Sequence, residues 1–423
     1  MMFAKYKTIF CDSVQALEYA YQNGLPKSAI VKSSAPAMLW DKKININNIE
    51  ARWTTGELEK FQEGVQELTE CVFDSILSIP GVEREIALSV TDAVYRFQKI
   101  IYKAACLDES DFTDPRLFIY VDGETGPSGN IMNSPWDQLL SPNPLFSMVN
   151  YTLRNDNWNQ LTTQGISYWS RYKIAGFETI VYRLAKKIMK RLPSWLFTKE
   201  LIVPNENELN IEIASSLALH GVRITELELD ESFSIVKNKI IEGNIPTLYE
   251  VVQPIMYERI EEWVTPSAVK ITMSLFNSHL QEQLKKFKLL VDKLENNIVK
   301  SHKIKQSVLM NAPGNIRGFA LSYVCRKNGI PIMSSQHGVT VEISKRHSMI
   351  RYEHDNSVAD VMFSYNRKII QVEKNTHFNH AKHYSVGMPL RLMRMKYANT
   401  TDRLALPIVF ISTNLYHMGF SLS

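Results

Sequence analysis

The chain has 423 residues, 45% of them apolar and 22% charged, with Lys+Arg 48 against Asp+Glu 44. That length allows two or three domains, each able to bury its own core, and the composition is that of an ordinary globular protein. The charge is nearly balanced and no Lys/Arg block is interleaved with aromatics, which argues against a nucleic-acid partner.

Cys11, Cys71, Cys106 and Cys325 show no CxxC spacing and no His at metal-ligand distance in sequence. They are expected to be reduced, mostly buried thiols, and no resident metal or cofactor is expected. The N-terminus enters a strand pattern directly, without the apolar core and cleavage site of a signal peptide. No apolar run reaches the roughly 18 residues needed to span a bilayer, so the expected location is the cytoplasm.

In chain order, residues 7–12 read as a strand, 13–23 as a helix opened by Ser13, and 29–34 as a second strand, which makes a βαβ start. Helical patterns continue to about residue 106, and Leu117–Asp122 reads as a buried strand. Gly123, Gly126, Pro127, Gly129, Pro135, Pro142 and Pro144 then predict a long loop over 123–144. Such a loop at a strand's C-terminal end is a common home for function. Residues 1–165 are read as one N-terminal α/β region.

Residues 166–199 form a separate helical segment. Between 171 and 199 lie eight Lys/Arg and one acid, with Ile180, Val181, Leu184, Ile188 and Leu192 at helical spacing and Trp195 to Phe197 after a proline. A basic amphipathic helix of this kind suits an anionic membrane surface, which would make the protein peripheral on the inner face of the membrane. The plainer alternative is a surface helix whose apolar stripe packs on its own domain.

Residues 200–396 read as a Rossmann-like α/β domain. Strand patterns fall at 200–204, 222–227, 361–364 and 383–388, a helix at 205–220 and a long helix at 266–297, and a further βαβ unit spans Ser307–Gly338. Alternation of strands and helices predicts parallel sheets with flanking helices. Residues 397–423 read as a polar linker and the first strand, Leu406–Ser412, of another domain.

The βαβ unit over 307–338 carries the most chemistry. Its second strand ends on Gln336-His337-Gly338, where glycine lets the backbone approach a phosphate and the imidazole supplies a hydrogen bond or a proton. Asn311, Asn315 and Arg317 mark the first strand's end and the following helix start, a setting that favours an anion. Turn formation and helix capping are the plainer roles of the two asparagines.

The run Asn328 to Gly338 containing Gln-His-Gly, then Ala359-Asp360 before a strand, then Val386-Gly-Met-Pro389, resembles bacterial surface-polysaccharide glycosyltransferases of the GT-B type. That group includes capsule and lipopolysaccharide enzymes, and the CDP-glycerol polymerases share the Gln-His-Gly element. In GT-B enzymes two Rossmann-like domains face each other, the N-terminal one holding mainly the acceptor and the C-terminal one the nucleotide sugar. The resemblance implies that residues 1 to about 396 are the N-terminal half and that a truncated or missing donor domain opens at Pro407.

Glycosyl transfer needs a base or carboxylate nucleophile and donors aimed at the departing phosphate. His337 is the candidate on the phosphate side, with Gln336, Gly338, Asn311, Asn315 and Arg317, and with Ser412 and Thr413 in the last strand. Asp122 and Glu124 are the leading carboxylates, and Glu353, His354 and Asp355 form a second polar cluster. The expected reaction moves a sugar from a nucleotide-activated donor, a CMP-linked acidic sugar among the candidates, to a glycan or lipid-linked acceptor. Two alternatives remain: a metal-dependent GT-A transferase holding Mg²⁺ or Mn²⁺ on Asp122 and Glu124, and a non-catalytic subunit that binds the glycan or lipid acceptor.

Overall fold

The computed structural model describes residues 2–11, 13–33, 36–39, 45–121, 139–140, 143, 145–151, 168–227, 245–298, 304–337, 356–374 and 376–397. The first half contains β1 (Thr8–Cys11), α1 (Val14–Gln22), β2 (Ile30–Ser33), α2 (Pro36–Leu39), β3 (Ile46–Asn48), α3 (Thr55–Leu77), α4 (Arg84–Ala104), α5 (Ser110–Thr113), β4 (Arg116–Val121) and β5 (Phe146–Tyr151). The second contains α6 (Tyr168–Met189), a 3₁₀ turn (Ser194–Leu196), β6 (Lys199–Val203), α7 (Glu208–Leu219), β7 (Arg223–Glu226), α8 (Ile245–Trp263) and α9 (Pro266–Ile298). It closes with β8 (Lys305–Asn311), α10 (Ile316–Lys327), β9 (Ile332–Ser335), β10 (Val361–Ser364), α11 (Arg367–Glu373), β11 (Lys382–Ser385) and α12 (Leu390–Tyr397).

Among the described residues the strands form two sheets, and every pairing between them is parallel. The first has the order β3-β2-β1-β4-β5 and the second β11-β10-β9-β8-β6-β7. Parallel strands need covering on both faces, because their crossovers place helices there. In the first sheet Ile9, Cys11, Val31, Leu117 and Ile119 pack on the α1 side with Ala16, Leu17 and Ala20. Phe10 and Phe118, opposite each other in register, face the other way. In the second sheet Leu201, Val203 and Leu309 lie on the face covered by α6 and α7, while Ile202, Val308 and Ile332 lie on the α10 face. The α/β class with parallel sheets and flanking helices agrees with the sequence reading.

Helices α3, α4, α8, α9 and α10 carry one continuous core from Phe10 and Phe118 to Val308 and Ile332. Trp53 stacks against Tyr102 and Trp263, with ring centroids 4.6 and 5.4 Å away. Glu85 of α4, 1% exposed, accepts from Arg326 Nε at 2.6 Å and Ser322 Oγ at 3.1 Å, tying α4 to α10. The thiols of Cys106 and Cys325 are pushed up to about 12 by burial, so neither is a thiolate near neutral pH. Cys11 is also buried, and Cys71 is exposed.

Some elements differ from the sequence pattern. β3 has three residues and no apolar alternation, β5 follows directly on Pro142 and Pro144, and the α8 helix continues through Pro254. Leu139 and Leu140, inside the stretch rich in breakers, are fully buried in the shared core. The strand expected at 406–412 lies outside the described residues.

Asp111 is fully buried between two buried cations. Its Oδ1 accepts from Arg116 Nε at 2.8 Å and its Oδ2 from Lys32 Nζ at 2.9 Å, while the Asn143 side chain donates to the Asp111 carbonyl. Removing one member of such a group strands the others without water. Asp111→Ala should therefore cost about 3–5 kcal/mol in urea unfolding; a loss below about 1 kcal/mol would mean that Lys32 and Arg116 recover solvent.

His279 of α9 faces α4. Burial holds its pKa below the ordinary value although it is hydrogen-bonded to the Ala93 backbone, and its Nε2 is buried with no partner. Protonation would add a second N–H at this buried atom, which has no hydrogen-bond partner among the described residues. His380 and His383 are lowered by burial as well. As pH falls, the unfolded chain takes up protons first, so this contribution is complete above about pH 6.5 and declines below it. The urea midpoint should fall between about pH 7.5 and about pH 5.5, and His279→Gln should reduce that fall; an identical pH slope in the variant would exclude this histidine.

Candidate functional site at the tips of the second sheet

Counted from its own first strand, the second sheet reverses direction between β6 and β8, since β7 is added on one side and β8 on the other. The helices that follow, α7 and α10, cover opposite faces. A crevice opens at the strand tips of such a reversal, and α/β proteins bind ligands there. Asn205 sits in it. The ladder pairs Ile202 with Val308, and three residues on the Asn205 side chain continues it by accepting from Asn311 N at 2.8 Å and donating to Asn311 O. A carboxamide offers the same donor and acceptor as a peptide unit, so it extends the sheet beyond its last backbone pair.

Asn311 passes this order on to His337. Its Nδ2 donates to Ser335 O at 3.3 Å, which turns Oδ1 toward His337 Nδ1 at 3.2 Å. An amide oxygen only accepts, so Nδ1 of the imidazole carries a proton and donates it to Asn311. His337 is exposed. Gln336 is buried and works within the fold, with its N–H donating to Phe363 O and its Oε1 accepting from Tyr365 N, both at 2.8 Å. Asn207 caps α7 by accepting from Asn210 N at 2.7 Å and also donates to Ser335 Oγ at 3.1 Å.

The neighbouring loop is tightly built. Asn315 caps α10, its Oδ1 accepting from Arg317 N at 3.0 Å and Gly318 N at 3.2 Å and its Nδ2 donating to Ala312 O at 2.9 Å. Capping is thus the role of Asn315, and two amides expected to face an anion already have an acceptor. Arg317 stands exposed on the first turn. A Cβ at position 318 would run into the Pro313 carbonyl, which only glycine avoids. Ala312 has φ 47°, and among the described residues no other non-glycine has a positive φ. Backbone strain of this kind collects at functional sites. Ala312→Gly should raise stability by up to about 1 kcal/mol in chemical unfolding; a loss would mean that the methyl group packs usefully there.

The structure thus brings His337, Asn311 and Gln336 together, with Asn315 and Arg317 beside them. Asp122, Glu124, Gly338, Glu353, His354, Asp355, Ser412 and Thr413 lie outside the described residues. Sequence reasoning missed Asn205, Asn207 and Ser335, although a polar Asn-Glu-Asn directly after a strand is a helix-start signal. It also missed Glu206 and Glu226 at the β6 and β7 tips. Both pair with Lys186 Nζ at 2.9 Å, and Tyr182, raised mainly by burial, hydrogen-bonds to Glu206, so these acids are engaged toward α6. Among the described residues no group of His, Cys, Asp and Glu is arranged to hold a metal ion. An open cleft lined by Tyr21, Lys27, Ser28, Asn45 and Asn47 lies at the opposite ends of β2 and β3, away from the strand tips.

Fold and site define an α/β protein with two Rossmann-like parallel sheets and a polar cluster at one order reversal. Compared with protein-family models, curated proteins and solved structures, the chain matches none.

Proposed function

We propose that the protein is a glycosyltransferase of surface-glycan assembly, moving a sugar from a nucleotide-activated donor to a glycan or lipid-linked acceptor at the cytoplasmic side. The observation that carries this reading is the exposed His337, held by Asn311 at the order reversal of a doubly wound sheet. The resemblance of the Gln-His-Gly, Ala-Asp and Gly-Met-Pro series to GT-B enzymes supports it. The two parallel sheets with flanking helices among the described residues support an α/β transferase fold of this kind. In this reading the tips of the second sheet face the phosphate of the donor.

Transfer breaks the bond between the anomeric carbon and the phosphate oxygen as the acceptor hydroxyl attacks, and negative charge gathers on the leaving phosphate. A preorganised donor aimed at that charge lowers the barrier. With Nδ1–H held by Asn311, the atom of His337 that serves the phosphate is Nε2. It donates there once the ring is protonated, and the Asn311 oxygen keeps an acceptor on the opposite nitrogen of the cation. Arg317 adds positive charge nearby, while Asn315 and Gly318 shape the loop and Gly338 gives the backbone room. The base is assigned to Asp122 or Glu124. β4 ends at Val121, beside β1 at the order reversal of the first sheet, so this pair also follows a strand tip. Ser412 and Thr413 remain proposed phosphate contacts.

The test is nucleotide release from a panel of CMP-, UDP- and GDP-linked sugars. His337→Ala should lower turnover by about a hundredfold or more with unchanged melting, and unchanged turnover would remove His337 from the mechanism. Acceptor binding without nucleotide release from any donor would make the chain a binding subunit.

A further inference from the structure

The α6 helix has two apolar stripes, and its own domain uses one. Tyr182, Ala185 and Met189 recur at helical spacing and pack with α7 and β7, where Met189 Sδ accepts from Ile224 N. Phe177, Leu184 and Ile188 form the other, roughly 110° around the helix, and are 64%, 51% and 53% exposed. The stripe continues past the helix end through Leu192 and Trp195, the latter 76% exposed. The plain reading, in which Leu184, Ile188 and Leu192 pack on their own domain, does not describe these positions.

Charge selects the occupant. Arg183, Lys187 and Arg191 are exposed along the flank of the open stripe and form no ion pair among the described residues. Lys186 is different, being neutralised by Glu206 and Glu226. Glu178, the only acid between 171 and 199, is paired with Arg394. The unneutralised charge beside the stripe is therefore positive. A second copy meeting this face about a two-fold axis would oppose the same three cations, whereas an anionic bilayer complements them and takes up the apolar side chains at its headgroup boundary. Trp195 has the amphipathic ring favoured at that depth. No helix among the described residues is long and apolar enough to cross a membrane.

We infer that the open face of α6 and its following turn docks the protein onto the surface of an anionic lipid bilayer. The inference does not depend on the proposed transferase site. The full chain is sedimented with vesicles of phosphatidylcholine alone and of phosphatidylcholine and phosphatidylglycerol in equal parts. Binding is expected only to the second, and weaker in high salt. Each cation is worth about fivefold in partitioning, so the triple variant R183Q/K187Q/R191Q should lose on the order of a hundredfold. L184Q/I188Q/W195Q should also lose binding, while both variants keep the wild-type melting temperature because these side chains are exposed. Absence of binding, equal binding to the two vesicle types, or variants that bind like wild type would overturn the inference. So would self-association that the apolar variant abolishes in a chain that ignores vesicles.

Discussion

One side chain at the reversal of strand order sets the geometry of the candidate site. Where β6 and β8 diverge in their connections, backbone pairing stops and polar main-chain groups would be left open. Asn205 satisfies both groups of Asn311 there, continuing the strand register with a carboxamide. Asn311 is thereby held at a fixed height, and its own side chain orders Ser335 and His337. On its other side Asn311 is in register with Ser335 of β9, so the Asn205 bridge fixes the β6 tip against a β8–β9 pair that the backbone ladder already joins.

The core beneath explains why those tips stay in place. β9 is held at both ends, with Ile332 N donating to Asp360 Oδ2 at 2.8 Å and Gln336 joined to Tyr365 at the tip. Asp360 also takes Arg326 Nη1 at 3.3 Å, and Arg326 reaches Glu85 on α4. The aspartate of the Ala-Asp element is thus a structural tie at the starting ends of β9 and β10, opposite the strand tips. The strained Ala312 and the crowded Gly318 are sustained by the rigid α10 packing.

Much of the fold was legible in the sequence because buried parallel strands are short apolar runs between turn residues. That signal marked β1, β2, β4 and most of the second sheet, and it failed for β3, a three-residue strand with a single apolar residue, and for β5, which comes just after a stretch rich in prolines and glycines. Within the site, His337 and Asn311 were legible because they end strands. Asn205, Asn207 and Ser335 were not, since a small polar residue after a strand also signals an ordinary turn. The partnership of Asn205 with Asn311 spans 106 residues and leaves no local pattern. Periodicity also showed that α6 has an apolar stripe, but not that Tyr182 and Ala185, rather than Leu184 and Ile188, would be the buried ones.

The central claim is that the imidazole of residue 337 meets a phosphate in an open crevice. The most direct measurement follows its ring proton resonances by NMR, assigned by comparison with a His337→Gln spectrum, while CMP, CDP and UDP are added in turn. The account predicts a saturable shift of that histidine with at least one nucleotide, and much weaker binding in Asn311→Leu, where the Nδ1 proton has lost its acceptor. A ring signal that stays still while nucleotide binds elsewhere, or throughout the whole series, would contradict it.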